Sequence, residues 1–196
     1  IGAAVVQLRH LSDYVVASFP FDDVAAGSWY DDSMLNAYLN GLIEGVGQRR
    51  LAPEAAMNRA MLVTILWRLA GSPTAAGMSR FADVPADAWY AAAVAWASEN
   101  GIVKGYSSTR FGPLDELYRE QMMVILYRYE QYRGGGFSGA WAFPLGYADA
   151  ADVSGWAYEA ACWCTMNSIV NGVGDGKFNP DGAITVLKGD LKVLDG

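Results

Sequence analysis

The chain has 196 residues and a mass of 21.1 kDa, and 53 % of its residues are hydrophobic, enough to bury a full core and to argue against disorder. Only 18 % are charged and the formal net charge is -7, so there is no general basic surface for nucleic acid or an anionic membrane, and any anion must be met by local cations. Apolar runs are broken by Thr64, Arg68, Ser98 or Glu99 before a bilayer could be spanned, so no transmembrane helix, and no membrane insertion by one, is expected. No basic segment followed by an apolar one opens the chain, so a secretory leader is expected to be either absent or already removed.

Residues 1–19 come first, and "AAVVQLRHLSDYVV" within them has a helical apolar pattern. It holds the one histidine, His10, which has no cysteine or acidic ligand beside it and reads as a surface or packing residue. Two copies of one pattern follow, at 20–73 and 80–133. Phe21 and Phe81, Asp23 and Asp83, Val24 and Val84, Trp29 and Trp89, Gly41 and Gly101, Gly45 and Gly105, Pro53 and Pro113, and Arg59 and Arg119 all stand sixty positions apart without a gap. A Gly-rich linker, 134–145, leads to a degenerate third copy over 146–196, where Trp156, Ile169, Gly172, Phe178 and Pro180 match the second copy at an offset of 67. The opening of this copy, "YADAADVSGW", is one residue longer than "FADVPADAW".

Each copy reads as helix, loop, helix. From Trp89 to Asn100, Trp89, Ala93, Val94, Trp96 and Ala97 form one helical stripe, and Gly101 stands where a left-handed C-terminal residue is wanted, as do Gly41 and Ser168. A Gly- and Pro-bearing loop comes next. The second helix follows, with Met61, Leu62, Ile65, Leu66 and Leu69 inward in the first copy and Met122, Ile125, Leu126 and Tyr129 in the second. These are the most hydrophobic elements and should sit at the centre, with the tryptophan-bearing helices outside. The predicted fold is all-α: three tandem repeats in a pseudo-threefold arrangement forming one compact domain. The third copy's second helix, "ITVLKGDLKVLDG", is short and contains Gly189, so the N-terminal helix is expected to pack against it and complete the bundle. Cys162 and Cys164 are spaced for neither a direct bridge nor a metal site and read as small buried residues.

The combination Phe81-Ala82-Asp83-Val84, Trp89, Gly101-Ile102-Val103-Lys104-Gly105, Phe111-Gly112-Pro113 and Arg119-Glu120-Gln121 resembles the S-layer homology (SLH) family. The resemblance covers roughly residues 20 to 196 as three repeats. It implies a pseudo-trimer around a central three-helix bundle, and an exported, non-catalytic cell-wall anchoring module without a cofactor. The implied ligand is a secondary cell wall polysaccharide, typically carrying pyruvylated sugar, held in grooves between adjacent repeats. Family members usually begin the second helix with Thr-Arg-Ala-Glu. Here the first copy has Asn58-Arg59-Ala60-Met61 and the second Tyr118-Arg119-Glu120-Gln121. The third has Thr185-Val186-Leu187-Lys188, with valine in place of arginine and Lys188 as the only nearby substitute, on another helix face.

The residue chemistry fits an acidic glycan. A helix N-terminus suits an anion, and an arginine there, disfavoured by the dipole, wants another reason to be present. Its planar fork matches a carboxylate, which makes Arg59 and Arg119 the leading ligand residues. Trp29, Trp89 and Trp156 are candidate walls for a sugar face, although the commoner role of a tryptophan at such a position is core packing. Gly45, Gly105 and Gly172 allow close backbone approach or simply serve their turns. Asp23 and Asp83 could take part in binding, cap the following helix or steady the arginine.

Three other functions compete with this one. Catalysis has no support from the acidic pairs Asp22-Asp23 and Asp31-Asp32 or from His10. A calcium loop in "GDGKFNPDG" would need acids at positions where Asp175, Asn179 and Asp181 do not fall. An assembly protein, with repeats contacting other copies of the chain in a surface array or filament, is the main alternative.

Overall fold

The computed structural model describes residues 20–139 and 141–185. Among them the fold is all-α: α1 (Asp31–Leu39), α2 (Arg59–Leu69), α3 (Ala91–Glu99), α4 (Arg119–Tyr132) and α5 (Tyr158–Met166), with isolated bridges in place of strands. Thus α1, α3 and α5 are the first helices of the three copies, and α2 and α4 are second helices. The N-terminal segment expected to complete the bundle, and the third copy's second helix with Val186 and Lys188, lie outside the described residues.

The first helices end alike. Asn40, Asn100 and Asn167 each donate a side-chain N–H to the carbonyl four residues back, at 2.8 Å. Gly41, Gly101 and Ser168 then adopt the expected left-handed φ of 67°, 72° and 55°. One boundary differs from expectation: α3 begins at Ala91, leaving Trp89 ahead of the helix and 59 % exposed, so the buried stripe starts at Ala93.

Second helices pack against the first helix of the next copy. The closely packed pairs are α2 with α3, α4 with α5, and α2 with α4. Helix α4 buries Met122, Met123, Val124, Ile125, Leu126, Tyr127 and Tyr129, which fits a central element apolar on most sides. Cys162 and Cys164 on α5 are buried as free thiols, Cys164 with its pKa pushed up to about 12 by burial. The early part of the first copy makes a smaller, separate cluster of Val24, Met34 and Leu51.

The three copies meet in a closed ring of backbone hydrogen bonds, just ahead of α2 and α4 in the first two. Met57 N donates to Ile184 O at 2.7 Å, Ile184 N to Leu117 O at 3.0 Å, and Leu117 N to Met57 O at 2.9 Å. The three side chains are at most 2 % exposed. Each copy gives one N–H and takes one, so the ring ties the first copy to the third as firmly as neighbours in sequence. Of the expected central bundle, α2 and α4 lie among the described residues and pack against each other.

Candidate functional site: grooves between successive repeats

The loop of each copy is held to its own opening turn by an aspartate. Asp23 accepts hydrogen bonds from Leu51 N and Ala52 N at 2.9 and 2.8 Å, and Asp83 from Phe111 N and Gly112 N at 2.8 and 2.7 Å. Asp149 accepts from Phe178 N and Asn179 N at 2.7 and 2.8 Å. Both oxygens of each carboxylate are therefore engaged. No side chain caps α1 or α3, and neither Asp23 nor Asp83 bonds Arg59 or Arg119. Asp149 was missed from sequence because the extra residue of the third opening, taken up in a short 3-10 turn at Ala150–Asp152, shifts it out of register with Trp156.

For Asp23 and Asp83, partial desolvation opposes ionisation, but the two backbone donors outweigh it and hold the carboxyl below the ordinary 3.8; for Asp149 the backbone donors lead. The folded state then binds fewer protons than the unfolded chain as pH falls past that value, so the stabilisation is present above it and lost below. We expect the urea midpoint to hold from neutral pH to about pH 5 and to fall steeply toward pH 2. Asp83→Asn should flatten that fall.

The loop glycines sit under aromatic rings. A Cβ on Gly105 would run into the Phe81 ring and the backbone oxygens of Arg110 and Ser107, and Gly45 and Gly172 are crowded in the same way by Phe21 and Tyr147. Backbone oxygens on two sides leave little room to yield. Gly105→Ala should cost about 2–3 kcal/mol by overpacking and lower Tm by roughly 4–12 °C in a thermal melt.

The helix starts are occupied by protein. Arg59 N donates to Asp115 O at 3.2 Å and Ala60 N to Pro113 O at 2.9 Å, while the Asn58 side chain caps Met61 N at 2.9 Å. The start of α4 repeats this with Arg119 N to Gly182 O and Glu120 N to Pro180 O, both 3.0 Å. The arginine side chains go the same way. Arg59 Nε donates to Phe111 O at 3.0 Å and Nη2 to Lys104 O at 2.9 Å, with the guanidinium 4.7 Å from the Tyr106 and Phe111 ring centroids. Arg119 donates to Phe178 O at 3.0 Å and Asn171 O at 2.7 Å. The residues are only 5 % and 4 % exposed. Burial lowers the Arg59 guanidinium below the usual arginine value, opposed by nearby Tyr106, Asp115 and Asp83. Each arginine thus clamps the loop of the next copy, and the first turn's N–H groups are largely spent on that loop's carbonyls.

Two quasi-equivalent grooves lie between successive copies, the second of them beside the Arg59 clamp. The first, about 330 Å³, is bounded by the loop carrying Gly45, by Met61, Thr64, Ile65 and Arg68 on α2, and by Trp89 of the second copy. The second, about 270 Å³, is bounded by the loop carrying Gly105, by Gln121, Val124, Ile125 and Arg128 on α4, and by Trp156 of the third copy, with Arg59 entering from the first. The tryptophans are not core residues: Trp29, Trp89 and Trp156 are 75 %, 59 % and 57 % exposed. Tyr30 and Tyr90 brace Trp29 and Trp89 edge-on at 5.5 and 5.1 Å. Of the predicted site residues, then, the first groove gathers Gly45 and Trp89, and the second gathers Arg59, Gly105 and Trp156. Trp29, Gly172, Arg119, Asp23 and Asp83 line neither, and Lys188 lies outside the described residues. Lys104, Arg68 and Arg128 were missed because a charge on an outward helix face or loop reads as solvated; their spacing from Gly105 and the second helix was the available signal.

Comparison with known proteins gives this arrangement a family. The S-layer homology domain pattern matches residues 20–60, 80–123 and 146–185, together more than half of the chain. A "Surface-layer 125 kDa protein" of Lysinibacillus sphaericus is 33 % identical over 148 residues, 74 % of this chain and 12 % of that protein. An "Amylopullulanase" of Thermoanaerobacterium thermosulfurigenes is 27 % identical over 190 residues, covering 94 % of this chain and 10 % of that protein. An "Endoglucanase" of Bacillus sp. (strain KSM-635) is 27 % identical over 166 residues, 83 % of this chain and 17 % of that protein. The chain therefore spans a small fraction of each relative's length. With three matched copies interlocked as described, the chain belongs to the S-layer homology domain family of cell-surface modules.

Proposed function

We propose that the chain is the non-catalytic wall-anchoring part of a surface protein, and that its inter-repeat grooves hold a secondary cell wall polysaccharide bearing anionic, pyruvylated sugar. The observation that carries this reading is the exposure of Trp89 and Trp156 over grooves floored by a second helix and a glycine loop. An indole face left to solvent beside an apolar floor and a few polar groups is what a sugar ring stacks on. Arg59 takes part through the part of its guanidinium that borders the second groove, while Arg119, Gly172 and Trp29 would serve the corresponding third position. Asp23 and Asp83 support the loops without touching the ligand.

The test is co-sedimentation of the chain with purified sacculi of a bacterium that carries S-layer homology proteins, before and after chemical removal of pyruvate. Binding to the first and release from the second supports the reading. If the chain stays in solution with both and instead forms oligomers without wall material, assembly between copies replaces it.

A further inference from the structure

Resting on that reading, we propose that the two grooves are sorted by charge: the Trp156 groove takes the anionic group of the glycan, and the Trp89 groove takes an uncharged, apolar-faced sugar unit. The grooves occupy the same place in successive copies, but their charged residues differ. In the Trp89 groove Arg68 is neutralised by Glu44 at 2.7 Å, and no other charged residue lines the cavity. Met57, Met61 and Ile65 make its floor apolar. In the Trp156 groove Lys104 stands where Glu44 stood and Arg128 where Arg68 stood, with Arg59 added and no carboxylate in the lining. Arg128 has no carboxylate partner among the described residues; it is half-buried, burial lowers its pKa, and its charge in turn depresses Arg59. Asp83 and Asp115 offset Arg59 from behind the groove, but three cations with no carboxylate among the groove's own lining residues still repel one another, and an anion relieves that repulsion.

The uncharged groove carries its own sign of a ligand. Thr64, 3 % exposed, lines it and has a hydroxyl with no hydrogen-bond partner, whereas the corresponding residue of the other groove is Val124. A buried hydroxyl left unpaired is costly, and a sugar hydroxyl settled over the apolar floor would pair with it. In the Trp156 groove the unpartnered buried atom is Gln121 Oε1, placed to accept from a hydroxyl next to the anion.

Two small probes separate the grooves: a methyl glycoside bearing a pyruvate ketal, and its isopropylidene counterpart, in which a methyl replaces the carboxylate. Indole N–H signals of Trp89 and Trp156 would be followed by NMR on the full chain during titration with each. The acid should move the Trp156 signal at about tenfold lower concentration than the isopropylidene probe, and added salt or Lys104→Met, at an exposed side chain, should erase most of that preference. The Trp89 signal should respond to the isopropylidene probe at least as readily as to the acid, independently of salt, and weaken with Thr64→Val. Equal preference at both indoles, or an acid preference at Trp89, would overturn charge sorting while leaving glycan binding intact. If neither probe moves either indole, glycan binding in these grooves fails and charge sorting with it.

Discussion

Arg59→Ala should unfold the chain far more readily than it changes any ligand contact at the surface. The guanidinium makes two hydrogen bonds to backbone carbonyls of the next copy and lies against two rings, and the residue is 5 % exposed. Its loss leaves Phe111 O, itself in a fully buried residue, and Lys104 O without these donors. At about 1.5–3 kcal/mol for each charge-assisted bond, less what water recovers at the groove side, the expected loss is about 3–4 kcal/mol. For a chain of this size that corresponds to a fall in Tm of roughly 6–16 °C. Arg59→Lys should recover little, because one ammonium cannot reproduce a fork aimed at two carbonyls. A melt of either variant within a degree of the parent would show that the clamp contributes nothing. Arg119→Ala should behave alike, since its bonds to Phe178 O and Asn171 O repeat the arrangement in the next pair of copies.

This expectation changes what an arginine variant can reveal about binding. Loss of wall sedimentation in an Arg59→Ala, Arg119→Ala double variant would follow from unlocked repeats as readily as from a missing anion contact. Only a variant outside the clamp separates the two.

The repeat, the helices and their left-handed ends were legible because they are local. A period of sixty positions, an apolar face and a Gly at the end of a helix depend on neighbours within a few residues. What Arg59 bonds to was not legible, because Phe111 lies 52 residues away in the next copy. The argument from the helix dipole identified a residue needing a reason and named only an anion, whereas two of the Arg59 donors go to the protein's own carbonyls and the proposed anion contact is left to the edge that borders the second groove. One sequence signal pointed the right way: Arg59 is followed by Ala60, Met61, Leu62 and Val63, so a start this apolar is headed for burial, and a buried arginine must be bonded. The placing of Trp89 in the helical stripe failed in the opposite sense. Trp89 sits in helical register with Ala93 and Trp96, yet the helix starts only at Ala91, and a residue outside the helix is free of its stripe.

Trp89→Ala and Trp156→Ala are therefore the substitutions that should separate binding from folding. Their side chains are more exposed than buried, so each truncation should leave Tm within about 2 °C, the range of an exposed site away from caps and core. Each indole nevertheless forms one wall of a groove, and stacking a sugar on it is worth on the order of 1–2 kcal/mol, so each single variant should weaken sedimentation with sacculi about 5–30-fold. The double variant should lose both grooves, and because the indoles stand on different copies with no shared partner, the losses should multiply. Trp29→Ala is the informative companion: it is the most exposed of the three at 75 % and lines neither groove, so with the first two grooves intact it should lose only what the third position adds, less than either of the other variants loses. A double variant that folds and still sediments like the parent would remove the grooves from the binding surface. A Trp29 variant that loses binding by itself would shift the site to the junction of the third copy with the first, the pair that the ring from Met57 to Ile184 already joins.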